Sequence, residues 1–301
     1  MAMTSAESAE RGNMMGVLLM AVSMVFFGTA DTIAKFMTAG YPALQVVGIR
    51  QMGLLVGVLI YVLLRGTTEL RTRRPKMQLF RGLCATVSAT LFVLALRHIP
   101  LADATAIAFV APFFVTILGA ILLKEKVDAA RWAAIGLGFL GMVVVIRPGF
   151  DSFHPAYLLV LASAALFATR QVISRFLGAT EKTITTVAFT AATSAGILAL
   201  VQPFVWQTIK PGDIWLFVLY ACAAGLGEFL VIKALEIAEA VVVAPLQYTM
   251  IIWTTCYGFL VFGDVPDVLT ICGTAIIVAS GAYTLQRSRM KPRRIAPPAG
   301  H

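Results

Sequence analysis

Four ionisable residues sit inside stretches that are otherwise apolar: Asp31 and Arg50 in the first half of the chain, Arg170 and Glu228 in the second. A charge held at the centre of a bilayer costs about 2.5–3.5 kcal/mol on insertion scales, so it faces a partner or a wet cavity and marks a route for a solute or a proton. Asp31 and Arg50 each fall about seven residues, or ~10 Å, from the same end of their apolar runs, which predicts that they pair. Lys35, one turn from Asp31, is either a competing partner or a side chain that snorkels to the interface. Arg170 and Glu228 reach a comparable depth from the opposite end. Gln247 and Tyr248 arrive there from a third run, so these four are expected to share one polar zone. Glu228 lies in the segment AAGLGEFL with small neighbours; it can hold an amine, take up a proton or pair with Arg170. Phe109, Phe113, Tyr248 and Trp253 lie near Pro112 and Pro245, whose missing N–H groups free backbone carbonyls for a central cavity. Their rings either stack on a flat solute or pack within the protein.

Such residues need membrane-spanning helices to position them. Of the 301 residues, 59% are hydrophobic and 13% charged, and the mean hydropathy is +0.87, whereas soluble domains run at roughly 45–50% and 25%. The apolar runs are about 20 residues long, the length a helix needs to cross roughly 30 Å of hydrocarbon. Breaks at Pro, Gly and charge clusters place ten spans at about 14–38, 43–65, 77–97, 101–123, 129–147, 154–177, 183–206, 213–236, 240–262 and 266–287. With both termini cytoplasmic, 19 of the 24 Lys and Arg residues fall on the cytoplasmic side and four on the other, as the positive-inside rule requires. The start Met1–Asn13 lacks the basic opening and short core of a cleaved signal, so the first span is expected to be retained.

The net charge of +9 is therefore an orientation signal, not a nucleic-acid footprint. The lipid bilayer and a small-molecule substrate are the expected partners. Cys84, Cys222, Cys256 and Cys272 show no paired spacing, and His98, His154 and His301 are scattered, so no metal site and no cofactor is expected. There is no Walker A sequence, no Gly-rich dinucleotide turn and no HExxH, which excludes ATP-driven transport by this chain alone and zinc proteolysis. Enzyme activity is not expected.

The chain also repeats itself. FGTADTIAKF (27–36) is answered 140 residues later by FATRQVISRF (167–176), with Phe, Thr, Ile and Phe in register and Lys35 matched by Arg175. At an offset of 139, Ala95-Leu96 answers Ala234-Leu235, Gly119 answers Gly258 and Glu125 answers Asp264. Five spans per half is an odd number, so the second half enters the membrane from the opposite side and the repeat is inverted. Inverted halves are the architecture of many secondary transporters, because mirrored gates expose one midplane site to either side in turn. The expected organisation is a cytoplasmic tail 1–13, a first five-helix repeat 14–149, a second 150–287 and a basic tail 288–301. Gly136, Gly138, Gly141, Gly273 and Gly281 are expected to serve close helix packing.

The ten-span layout, FGTADTIAKF, the segment ALRHIPLADATAIAFVAPFF (95–114) with its acidic end LLKE (122–125), and the partial echo ALEIAEAVVVAP (234–245) resemble the drug/metabolite transporter superfamily, EamA type. The resemblance covers nearly the whole chain. It implies an all-α fold of ten transmembrane helices in two inverted repeats and a carrier or exporter of amino acids, nucleotide-linked or vitamin-like metabolites in the bacterial inner membrane. The second half departs from the first by carrying Glu239 and Ile251 where the first has Pro100 and Pro112, so the ninth span is expected to break elsewhere, at Pro245. The expected function is a secondary transporter of a small polar metabolite, an amino acid or a related amine-bearing or vitamin-like compound. A proton-coupled exporter of lipophilic cations using Glu228, and a membrane scaffold or sensor, are the alternatives.

Overall fold

The computed structural model describes residues 5–66, 70–122, 127–148, 153–178, 181–238 and 240–289, and every regular element among them is helical. Glu125, Glu239 and most of the basic tail 288–301 lie outside the described residues. The first three crossings are α1 (Ser5–Thr38), α2 (Ala43–Arg65) and α3 (Pro75–Leu96). The fourth is divided into α4 (Leu101–Ala108) and α5 (Ala111–Leu122), and α6 (Ala129–Ile146) completes the first half. The second half runs through α7 (Ala156–Gly178), α8 (Thr183–Val205) and α9 (Ile214–Ile237). Its ninth crossing joins α10 (Ala240–Val243), a 3₁₀ stretch Ala244–Thr249, α11 (Met250–Tyr257) and a π turn Gly258–Phe262, before α12 (Val268–Arg289). Among the described residues, eight segments are long and apolar enough to cross a membrane unaided, and α12 carries a shorter apolar stretch, Val268–Thr284. With the interrupted ninth crossing they make the integral membrane fold of ten transmembrane helices.

The outer surface bears the marks of a lipid solvent. Leu63, Leu200 and Phe204 are 76–86% exposed, which an aqueous surface would penalise and hydrocarbon does not. Cys222, Cys256 and Cys272 are exposed in the same way, and Cys84 is buried.

Packing between the halves follows a two-fold pattern. α1 lies along α9, and its counterpart α7 lies along α3; α2 packs on α8 and α6 on α12. The contact of α3 with α8 is matched by that of α2 with α9, and the fourth crossing on α7 is matched by the ninth on α1. An exchange of halves therefore maps the bundle onto itself, as inverted repeats require. The α6–α12 crossing is tight: a Cβ on Gly141 would sit 2.8 Å from the Gly273 carbonyl oxygen, and one on Gly273 would sit 2.6 Å from the Gly141 carbonyl oxygen. Only glycine permits that approach of two backbones.

The breaks in the fourth and ninth crossings have an identifiable cause. Pro112 cannot donate to the Ala108 carbonyl, so the helix tightens there: the Val110 N–H bonds to Ile107 O at 3.0 Å and the Phe113 N–H to Val110 O at 2.9 Å. Pro245 opens the 3₁₀ stretch of the ninth crossing, where the sequence places its break. The bundle has a proximal face, at which α1 begins, and a distal face, at which α1 ends.

Candidate functional site

A cavity of about 70 Å³ lies between the halves. α2 contributes Arg50, Gln51 and Leu54; α3 contributes Arg81, Ala85 and Ala89. α7 adds Arg170, α8 adds Val187 and Thr190, and α9 adds Ala221, Ala224, Gly225 and Glu228. Spacings of three and four put each set on one helix face, and the alanines and Gly225 leave the room that larger side chains would fill. Arg50 is seven residues from the distal start of α2 and Arg81 six from the proximal start of α3, so each is about 10 Å deep. The cavity thus joins the two polar layers that the sequence places near opposite faces.

The three guanidiniums are held by neutral groups. The Arg81 Nε donates to Ser174 Oγ at 2.7 Å, and a second Arg81 nitrogen donates to Thr190 Oγ1. The Arg50 guanidinium lies 5.9 Å from the Tyr220 ring centroid, and that of Arg170 lies 4.7 Å from Phe167's. The Arg170 Nε is buried with no hydrogen-bond partner. Asp31 and Glu228 both act electrostatically on Arg50, and Glu228 acts on Arg81 and Arg170 as well. Among the described residues, none of the three arginines makes an ion pair within 4 Å.

The remaining candidates distribute differently. Asp31 and Arg50 are neighbours without a direct contact pair, and Lys35 takes another partner altogether: its Nζ reaches Asp264 Oδ2 at 2.7 Å and lies 4.6 Å over Phe262. Tyr248 and Gln247 do not join Arg170 and Glu228 in the cavity lining. The Tyr248 ring meets that of Phe109, centroids 4.9 Å apart, where the broken fourth and ninth crossings touch, and its hydroxyl is buried without a partner. Trp253 stacks near Tyr257, ring centroids 6.2 Å apart, and backs onto α1 at Gly28. Gln247 is exposed.

Both faces are closed by polar contacts between the halves. On the distal face the Tyr41 hydroxyl donates to Asp213 Oδ2 at 2.6 Å, and the Gln45 amide exchanges two hydrogen bonds with the Gln207 backbone. Accepting that bond, Asp213 holds the Tyr41 phenol above its ordinary pKa. Arg147 pairs with Asp267 and donates to Thr270 Oγ1 at 3.0 Å; Thr270 and Tyr157 both donate to Asp103. The Arg147 hydrogen bond holds the Asp267 carboxyl below its ordinary range. On the proximal face the Arg73 N–H donates to Glu181 Oε1 at 2.8 Å, and the Gln78 amide donates to Thr186 Oγ1 at 3.2 Å. Arg73 and Glu181 stand 140 residues from Asp213 and Tyr41 respectively, so the two latches occupy equivalent places.

Sequence reasoning missed Arg81, Tyr220 and Asp103. Arg81 sits near the start of its span and counts there as an orientation charge; the Arg-x₃-Ala-x₃-Ala stripe with Ala85 and Ala89 is the signal that it faces a space. His98 and His154, far apart in sequence, stack with ring centroids 5.1 Å apart. No group of three metal-ligating side chains exists among the described residues.

Comparison with known proteins gives a consistent picture. The EamA-like transporter family matches twice, over residues 14–147 and 154–285. The S-adenosylmethionine uptake transporter of Rickettsia conorii is 25% identical over 91% of this chain and 93% of its own. The riboflavin transporter of Vibrio cholerae is 28% identical over 93% and 95%, and the pseudopaline exporter of Pseudomonas aeruginosa 30% identical over 88% and 94%. One solved crystal structure superposes with a TM-score of 0.63 over 92% of this chain and 99% of its own at 21% identity, and shares the fold.

Proposed function

We propose that this chain, which belongs to the EamA-like transporter family, works as a secondary transporter that carries a small polar metabolite by alternating access. The observation that supports this best is the charged cavity between the halves, in which Arg50, Arg81, Arg170 and Glu228 lie inside the crossings with latches at either face. Buried charge without a fixed partner is retained in a membrane where a solute or ion uses it. The two repeats, 14–149 and 150–287, contribute equivalent helices to one interleaved bundle, and breaking the distal or proximal latch opens one side. Asp31, Arg50, Arg170 and Glu228 carry binding and gating, with Phe109, Tyr248, Gln247 and Trp253 lining or hinging the broken crossings. The solute is an amino acid or a related amine-bearing or vitamin-like compound, in keeping with relatives named for S-adenosylmethionine, riboflavin and pseudopaline.

The chain acts as a carrier and not as an enzyme, and sits in a bacterial cytoplasmic membrane with both termini cytoplasmic. That orientation follows from the distribution of Lys and Arg. A lipophilic-cation exporter fits the cavity less well, since its cargo would face three guanidiniums. The test is purified protein in liposomes, screened with labelled amino acids, nucleosides and vitamins. Uptake above that of empty vesicles for at least one class is expected, and no flux for any class overturns the proposal.

A further inference from the structure

We infer that the cavity is an anion site and that the transported solute carries a carboxylate; this rests on the transport function proposed above. Arg50, Arg81 and Arg170 face the space together, with Glu228 as the one carboxylate in the lining. Arginine stays protonated in proteins, so the walls carry more positive than negative charge. Asp31, acting on Arg50 from α1, reduces the excess to three cations against two carboxylates and does not cancel it.

Nothing among the described residues supplies the missing counter-ion. Arg81 is held by two hydroxyls, and Arg50 and Arg170 lie over the Tyr220 and Phe167 rings. The Arg170 Nε is buried and has no acceptor. A buried guanidinium N–H without an acceptor is unfavourable, and a guanidinium fork matches a carboxylate through two parallel hydrogen bonds. A cavity of about 70 Å³ receives a carboxylate on a short carbon chain.

The charges are also not a by-product of the repeat. At the 140-residue offset Arg50 corresponds to Thr190, Arg81 to Ala221, Arg170 to Ala30 and Glu228 to Ser88. The symmetric frame would stand without them. They are additions, mostly of one sign, to one set of walls, which is what recognition of an anion requires.

The test is uptake into proteoliposomes of labelled succinate, glutamate and alanine, each set against a carboxylate-free counterpart: succinamide, propylamine and ethylamine. At least one carboxylate is expected to enter, and at a rate tenfold or more above its counterpart. Arg170→Gln should lower that rate tenfold or more, with Arg170→Lys recovering part of it, in variants that remain monodisperse in detergent. If Arg170→Gln does not fold, Arg50→Gln takes its place. Equal rates for the counterparts, or normal rates in the folded glutamine variants, overturn the anion site. Flux confined to carboxylate-free solutes, including nucleosides and neutral vitamins, overturns the anion site and leaves transport standing. Flux of no solute at all overturns both.

Discussion

Phe109 and Tyr248 occupy equivalent positions of the two halves, 139 residues apart, and their rings meet with centroids 4.9 Å apart and planes tilted by 39°. Two equivalent residues touch only where the axis relating the halves passes between them. The two broken crossings therefore meet on the pseudo-two-fold axis. The Tyr248 hydroxyl is buried there without a hydrogen-bond partner, against Gly281 of α12. A buried unsatisfied donor costs about 1–3 kcal/mol. Tyr248→Phe should therefore leave stability unchanged or raise it by about 1 kcal/mol, measured by thermal unfolding in detergent. A clear loss of stability would mean that the hydroxyl has a partner in the bilayer.

The α6–α12 crossing gives a sharper packing test because it contains its own control. A Cβ on Gly141 or Gly273 would meet backbone oxygen at 2.8 or 2.6 Å, whereas one on Gly136 of α6 would meet nothing within 4 Å. Gly141→Ala should destabilise by about 1–3 kcal/mol, the usual cost of overpacking. Gly136→Ala should be neutral or stabilising, since alanine is the better helix former. Equal effects at the two positions would contradict the crossing.

Lys35 and Asp264 close the distal end of α1 onto the ninth crossing at 2.7 Å, with side chains 14% and 30% exposed. A double-mutant cycle with Lys35→Ala and Asp264→Ala should give a coupling of about 1–2 kcal/mol, as for a charge-assisted hydrogen bond shielded from solvent. Additive losses would show the contact to be incidental.

Asp267 offers a pH test outside the membrane. It pairs with Arg147 and caps α12 by accepting the Thr270 N–H at 2.8 Å. Its pKa is lowered, first by the Arg147 hydrogen bond and then by the Thr270 N–H. A lowered folded-state pKa adds stability that is present above the unfolded value, about 3.9, and is lost as pH falls through the folded value. Asp267→Asn keeps the cap and removes the charge. It should melt below the parent protein at neutral pH, with the gap closing as pH drops below about 4. A gap independent of pH would assign the effect to the cap.

Much of this fold was legible in the sequence because a bilayer imposes a length and a polarity on each crossing. Ten apolar runs became ten crossings, Pro112 and Pro245 marked the two broken ones, and the two copies of the FGTADTIAKF repeat fall in α1 and α7. The charged candidates were legible as outliers in apolar surroundings, and Arg50, Arg170 and Glu228 share one cavity. Their partners were not, because partners are chosen by helix rotation and loop position. Lys35 bonds to Asp264, 229 residues away, and not to Asp31 four residues away; a one-turn neighbour on the same helix loses to a residue that the ninth crossing carries to its tip. Arg81 was hidden by its place near a span end, where a basic residue serves orientation equally well.

The most discriminating substitution in the cavity is Glu228→Gln. The change keeps the side chain's shape and removes the lining's single carboxylate, leaving Arg50, Arg81 and Arg170. If an anionic solute binds among the guanidiniums, the variant's surplus positive charge should hold a dicarboxylate such as succinate more tightly. A zwitterion such as glutamate or alanine loses the group that would face its ammonium and should bind more weakly. Each shift is expected to be about tenfold, the order of one hydrogen bond to a charged group. Half-saturation concentrations for the two solute types, measured in the same proteoliposome preparations, separate the outcomes. Opposite movement of the two places Glu228 beside the solute's amine. Loss of turnover for both at unchanged half-saturation places it in proton coupling or gating instead.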